Sequence, residues 1–75
     1  MAMHNLTEAI ALNRIAEVLA AKGKLLGYSP STDTPYMQHP DGTVWHCTPR
    51  HLVNMGTAEE FWQHVASGRL TLRLP

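Results

Sequence analysis

The tripeptide Pro40-Asp41-Gly42 constrains the fold more than any other feature of this sequence, because it specifies a β-hairpin together with its register. Residues 36–39 and 43–47 on either side contain the aromatic and β-branched residues that are typical of strands. A type I turn with Gly42 at the positive φ of a G1 bulge sets His39 opposite Thr43. We therefore predict an antiparallel hairpin over residues 36–47.

The alternation of side chains along a strand determines which residues share each face of this hairpin. One face carries Met37, Trp45 and Cys47, and the other carries Tyr36, Val44 and His46. We assign the Met37 face to the core and the Tyr36 face to solvent. The alternative is that a helix covers the second face, in which case Tyr36 belongs to the core.

A helix is predicted over residues 6–22 from apolar residues that recur at helical spacing. Asn5 or Thr7 can cap it, and Asn5 with Glu8 resembles a capping box. Gly23 is placed to end it. The stripe that we expect to face the core comprises Ala11, Leu12, Ile15, Val18 and Leu19.

A second helix is predicted over residues 58–67, between a capping box formed by Thr57 and Glu60 and the terminating Gly68. The side chains that we expect on its buried face are Ala58, Phe61, Trp62 and Val65.

Three shorter segments connect or follow these elements. Residues 24–28 are predicted as a strand, and residues 29–35 as a stiff surface loop that contains two prolines. Thr48-Pro49 fits a cap followed by proline at the first helical position, which predicts a short helical turn near residues 49–54. Residues 69–74 alternate leucine with arginine or threonine, a pattern typical of a half-buried strand.

Together these elements predict a small α+β domain over residues 1–75, in which one mostly antiparallel sheet of three or four strands packs against two helices. A chain of this size buries only about 60% of its unfolded surface, so its core is thin. A deep catalytic pocket would take residues that the core needs. We therefore expect a protein that is not an enzyme and uses no cofactor.

Charge and composition limit the classes of partner. Six basic residues balance six acidic ones, so no net charge attracts the chain to nucleic acid or to an anionic membrane. The most apolar stretch, residues 9–21, is interrupted by Asn13, Arg14 and Glu17, which argues against a signal peptide or a transmembrane helix. The single cysteine cannot form an internal disulfide, so a reducing, cytoplasmic location is expected.

Four potential zinc ligands fall close together in the sequence: His39, His46, Cys47 and His51. Because His46 and Cys47 are consecutive on a strand, they point to opposite faces and cannot readily share an ion. Cys47 and His51 could instead act as nucleophile and base, but no orienting third group is evident. We interpret Cys47 as a core residue and the histidines as surface groups, and predict neither a metal site nor a catalytic residue.

Six residues are candidates for binding a partner, since exposed tyrosine, histidine and arginine are the types that such sites use. They are Tyr36 and His46 on the hairpin, Arg50 and His51 on the short helical turn, and Arg69 and Arg73 on the last strand. Cations in the first turn of a helix are unfavourable unless an anion offsets them. That anion is either a local carboxylate such as Asp41, Glu59 or Glu60, or an acidic partner surface or phosphate. The terminal strand could also pair with a second copy through residues 69–74.

The function hypothesis is a compact adaptor or inhibitor that binds another protein, of the kind that phages and other mobile elements encode. The main alternative is a nucleic-acid-associated regulator that uses Arg50, His51, Arg69 and Arg73. A zinc-binding or Cys/His catalytic protein is the third possibility.

Overall fold

The computed structural model describes the backbone of residues 2–75 and the side chains of residues 10–75. The elements in chain order are α1 (Ala2–Lys22), β1 (Lys24–Tyr28), β2 (Pro35–Gln38), β3 (Thr43–Cys47), β4 (Leu52–Thr57) and α2 (Ala58–Ala66). The predicted class, a small α+β fold with an antiparallel sheet and two helices, is confirmed.

The four strands form one sheet in the order β1-β2-β3-β4, and each strand is antiparallel to its neighbours. The β1–β2 loop and the β3–β4 turn therefore lie at the same end of the sheet. We call this the loop end, and define it as residues 29–34 and 48–51. The β2–β3 turn lies at the opposite end.

The β2–β3 hairpin has the predicted register, with Met37 opposite Trp45. The amide of His39 donates to the carbonyl of Thr43 at 2.8 Å, and Gly42 adopts the positive φ of 94° that the turn requires. The Asp41 carboxylate accepts hydrogen bonds from the Thr43 amide at 2.9 Å and from the Thr43 hydroxyl at 2.6 Å. This network holds the turn that the sequence specifies.

The main core lies on the Tyr36 face of the hairpin, so the assignment of that face to solvent is wrong. Val44 and Phe61 have no exposed surface, and Tyr36 is 4% exposed. Leu26 completes the buried cluster, against which α2 packs. Alternation along a strand separates the two faces but does not tell which face a helix covers, and here α2 covers this one.

Helix α2 begins at the predicted capping box. The Glu60 amide donates to the Thr57 hydroxyl at 3.2 Å, and the Thr57 amide donates to the Glu60 carboxylate at 3.1 Å. Phe61 is buried, but the prediction that Trp62 is also buried is wrong, because its side chain is 39% exposed. Consecutive residues point about 100° apart on a helix, and only one side of α2 meets the sheet.

Helix α1 lies against the opposite face of the sheet near its C-terminal end. Leu19 is buried there, beside a cleft that also involves Met37 and Cys47. The Met37 face is thus also covered, and Trp45 on it is buried as predicted. The amide of Gly23 donates to the Leu19 carbonyl at 2.9 Å where the helix ends.

The other end of α1 departs from the prediction. The helix starts at Ala2, so the proposed caps Asn5 and Thr7 lie within it, and their side chains are outside the described part. Residues 10–14 are all exposed. Of the predicted buried stripe, only Ile15, Val18 and Leu19 are covered to any extent.

The predicted helical turn near residues 49–54 is wrong, because Leu52–Thr57 forms β4. Thr48 closes a hairpin turn instead: its amide donates to the His51 carbonyl at 2.9 Å, and the His51 amide donates to the Thr48 hydroxyl at 3.0 Å. Pro49 suits the second position of a β-turn as well as the first turn of a helix, so the local sequence did not separate the two structures.

The predicted strand over residues 69–74 is also wrong. Arg73 alone forms a bridge, with Tyr28 at the edge of β1. Leu70 and Leu72 pack against the core, whereas Leu74 is exposed. The tail therefore seals one side of the core without extending the sheet.

Candidate protein-binding surface

The structure separates the six residues that the sequence singles out into three locations. Tyr36 and His46 lie under the β1–β2 loop, Arg50 and His51 are exposed in the β3–β4 turn, and Arg69 and Arg73 follow α2. All three locations are near the loop end of the sheet, but they do not form one surface.

Tyr36 is buried and His46 is half-buried. Their rings stack with centroids 4.2 Å apart and planes inclined by 18°, and the Tyr36 and Phe61 ring centroids are 5.2 Å apart. The Thr34 hydroxyl lies 2.6 Å from Nε2 of His46. Burial raises the pKa of the Tyr36 phenol and lowers the pKa of the His46 ring. This pair therefore joins the loop to the sheet rather than forming an exposed contact surface.

Arg73 is held by contacts within the chain. Its guanidinium donates to the Asp33 carboxylate and lies 4.8 Å from the centre of the Tyr28 ring. Arg69 lines a separate cleft of about 380 Å³ together with Ser29, Pro30, Ser31, Tyr36, Leu70 and Thr71. These two arginines thus lie on the β1 side of the molecule.

Arg50 and His51 form one wall of a groove between the β3–β4 turn and α1. Its residues are Leu12, Asn13 and Ala16 from the helix and Thr48, Pro49, Arg50, His51 and Leu52 from the hairpin. We call it the α1–turn groove. Its volume is about 420 Å³. Aliphatic side chains lie beside a cationic rim, and none of these lining residues is acidic.

Leu12 of α1 contributes an exposed apolar side chain to this groove. Ile10 is 47% exposed and Leu12 is 36% exposed, so the prediction that Leu12 faces the core is wrong. Single exposed aliphatic residues such as Ile10 are common, and Ile10 does not share a face of α1 with Leu12, whereas Leu12 lines the groove. The length of the helix indicates that part of it extends past the sheet and stays exposed. Its 21 residues span about 30 Å, whereas a five-residue strand covers about 17 Å.

Cys47 lies in an apolar cleft beneath α1, and the residues around it favour an unreactive thiol. The cleft has a volume of about 260 Å³ and is lined by Ala16, Leu19, Ala20, Met37, Cys47 and Leu52. Burial raises the pKa of the Cys47 thiol. None of the lining residues is basic, so the cleft offers no group that would stabilise a thiolate.

The candidate zinc ligands are not assembled into a site. Among the described residues, no group of three or more histidine, cysteine, aspartate or glutamate side chains is placed to hold a metal ion. His39 instead pairs with Asp41 at 3.0 Å, and His46 is directed toward Thr34. His46 and Cys47 are consecutive in β3 and lie on opposite faces of the sheet, as predicted.

Two further findings bear on the class of protein. None of the helices in the described chain is both long and apolar enough to cross a bilayer. The chain matched no protein-family model, no curated protein and no solved structure.

Proposed function

We propose that this protein is a non-enzymatic adaptor or inhibitor that binds another protein through the α1–turn groove. The observation that carries the proposal is the position of exposed Leu12 on α1, directly beside the turn that presents Arg50 and His51. The apolar and cationic parts of the surface come from two elements that are far apart in sequence.

The chemistry of the groove defines the partner that it suits. Leu12, Ala16 and Leu52 offer an apolar lining, and Arg50 supplies a positive charge at the rim. A segment that presents aliphatic or aromatic side chains followed by a carboxylate satisfies both parts. The aliphatic contacts supply most of the affinity, while the rim charge favours acidic partners and increases the rate of association.

A nucleic-acid regulator receives less support from the arrangement of the arginines. Arg73 contacts Asp33 and Tyr28 at the β1 side, whereas Arg50 lies in the turn beside β4. Three strand spacings, or about 14 Å, separate these two sides of the sheet. Arg50 and Arg73 therefore do not lie side by side in the kind of continuous basic stripe that is typical of nucleic-acid-binding surfaces.

The proposal is tested by affinity capture from the native cell extract with a matched pair of variants. Leu12→Glu places a charge in the groove, and Leu74→Glu makes the same change at the exposed tail. We expect a protein that is retained by the wild type and by Leu74→Glu, but lost with Leu12→Glu. The melting temperatures of both variants should match that of the wild type, because both positions are exposed.

Measurement of the binding affinity for the purified partner then distinguishes specific from nonspecific binding. We expect Leu12→Glu to weaken binding at least tenfold, and Arg50→Glu to weaken it more strongly at low salt than at high salt. Equal binding by the wild type and Leu12→Glu would place the contact elsewhere. Salt-sensitive retention of nucleic acid alone would favour the regulator.

A further inference from the structure

Strand β4 leaves one row of backbone hydrogen-bonding groups free. The bond from the Thr48 amide to the His51 carbonyl marks these residues as a hydrogen-bonded pair. Bonded and non-bonded pairs alternate along an antiparallel ladder, so Val53 bonds toward β3 while Leu52 and Asn54 direct their N–H and C=O groups away from it. In the described part of the chain, no strand lies on that side of β4.

The first part of this edge, residues 52–54, lacks the features that usually prevent strand addition. The six residues of β4 include no charge and no proline, and Val53 is 43% exposed. At the other edge of the sheet, the backbone of Tyr28 in β1 already pairs with Arg73. The bulge at Gly56, whose amide bonds to the Asn54 side chain at 2.8 Å, limits pairing to the first part of β4.

We propose that two copies of this chain associate edge to edge through β4, antiparallel and about a two-fold axis at Val53. A two-fold axis normal to the sheet pairs residues that lie on the same face. Along the regular part of the strand, the residue numbers of each opposite pair therefore add up to an even number. The register centred on Val53 sets Leu52 of each copy opposite Asn54 of the other. Both pairs then form hydrogen bonds with the groups that are free in the single chain.

The same register covers the exposed valine. Val53 of one copy faces Val53 of the other at a non-bonded position, where opposite Cα atoms are about 4.5 Å apart. Cross-strand contact between β-branched side chains stabilises such pairs. An exposed apolar side chain at the centre of the edge thus becomes buried in the contact.

Charge complementarity identifies a second copy as the partner strand. Beyond the paired residues, this register brings the turn that carries Arg50 in one chain toward the end of β4 in the other, where α2 begins. The Glu60 carboxylate is 3.0 Å from the position that a Cβ on Gly56 would occupy, and exposed Glu59 lies in the same helical turn. Each basic turn therefore lies at the same end of the contact as the acidic start of α2 in the other chain, and the two-fold axis repeats this arrangement.

This inference does not rest on the proposed function, although Arg50 contributes to both surfaces. Val53 and Glu59 lie outside the α1–turn groove, and Leu12 and Ala16 lie outside β4. Leu12→Glu should weaken partner binding at least tenfold and leave the dimer intact. Val53→Lys should abolish the dimer, because it places two like charges in contact.

Sedimentation equilibrium and a cysteine cross-link test the dimer and its register. We expect the wild type to shift from monomer to dimer with rising concentration, since a contact of one strand edge is small. In a Cys47→Ser background, Val53→Cys should form an intermolecular disulfide, because its Cα separation suits one. Asn54→Cys should react far more slowly, since that register separates its two Cα atoms by about 8 Å.

A charge reversal tests whether the strand that pairs with β4 belongs to a second copy of this chain. Arg50→Glu and Glu59→Lys should each weaken dimerisation at low salt, and combining them should restore it, because the exchanged charges again attract each other across the contact. A wild type that remains monomeric at every accessible concentration would overturn the proposal. Equal rates of disulfide formation by Val53→Cys and Asn54→Cys would also overturn it. So would a double variant in which the losses of dimer affinity caused by Arg50→Glu and Glu59→Lys simply add.

Discussion

The Thr34 hydroxyl lies 2.6 Å from Nε2 of His46, and this contact joins the β1–β2 loop to the central strand β3. The ring of His46 also stacks on Tyr36, with centroids 4.2 Å apart. A neutral imidazole nitrogen accepts the hydroxyl hydrogen, and a ring that carries a proton on Nε2 donates to the hydroxyl oxygen instead. The contact therefore suits either state of the ring, and it is burial that makes the charged state of His46 unfavourable.

The stability of the fold should fall when His46 becomes protonated. Burial lowers the pKa of His46 in the folded state, while the pKa of a histidine in the unfolded chain is about 6.5. The stabilising contribution of neutral His46 is present above the pKa of the unfolded chain and is lost as pH falls through the pKa of the folded state. The reason is that the unfolded chain binds the proton more readily. We expect the melting temperature to decrease as pH is lowered from about 7.5 to about 5.5.

Two variants assign this pH dependence to its residue. His46→Gln should flatten the decrease, since the amide does not titrate in this range, and the exposed His64→Gln should leave the decrease as it is in the wild type. The assignment would be wrong if His64→Gln flattened the curve and His46→Gln did not.

Two adjacent aromatic residues on α2 should differ strongly in their effect on stability. Phe61 has no exposed surface, so Phe61→Ala should lower the free energy of unfolding by about 3–5 kcal/mol. Trp62 is exposed but contacts Phe61 edge-on, with ring centroids 5.2 Å apart, and Trp62→Ala should lower it by about 1 kcal/mol. Urea denaturation measures both values, and equal losses would contradict the position of the core.

The parts of the fold that local chemistry specifies could be predicted from the sequence. The turn at Pro40-Asp41-Gly42 sets the register of one hairpin, and the Thr57–Glu60 capping box sets the start of α2. Each depends on residues within a few positions of one another. Each of these short sequences favours one local structure, and the protein adopts it.

The remaining parts depend on contacts between distant segments. Alternation placed Tyr36 and Val44 on one face, but only the docking of α2 makes that face the core. Thr48-Pro49 suits either a helix start or a β-turn, and pairing with β3 selects the turn. For the candidate site, the sequence indicated Arg50 and His51, whereas the groove wall formed by α1 requires the tertiary arrangement.

Cys47 should react slowly with thiol reagents in the folded protein. Burial raises its pKa, so the thiolate fraction at neutral pH is smaller than in an exposed cysteine. We expect the rate of reaction with a disulfide reagent to be low at pH 7, to rise with pH, and to increase sharply in denaturant. Rapid reaction at pH 7 without denaturant would show that the cleft beneath α1 is open, and would revive a catalytic role for this residue.

Gly27 permits the close approach of the tail to β1, and this contact predicts the effect of adding a methyl group. A Cβ on Gly27 would lie 2.7 Å from both the Leu72 side chain and the Arg73 carbonyl. Gly27→Ala should therefore lower the free energy of unfolding by about 1–3 kcal/mol, as overpacking does elsewhere. Leu72→Ala should also destabilise the fold, but the double variant should lose less than the sum, because removing the leucine relieves part of the clash. Urea denaturation of the three variants measures this coupling, with Leu74→Ala as the exposed control. Strict additivity would mean that the tail does not rest on β1 in solution.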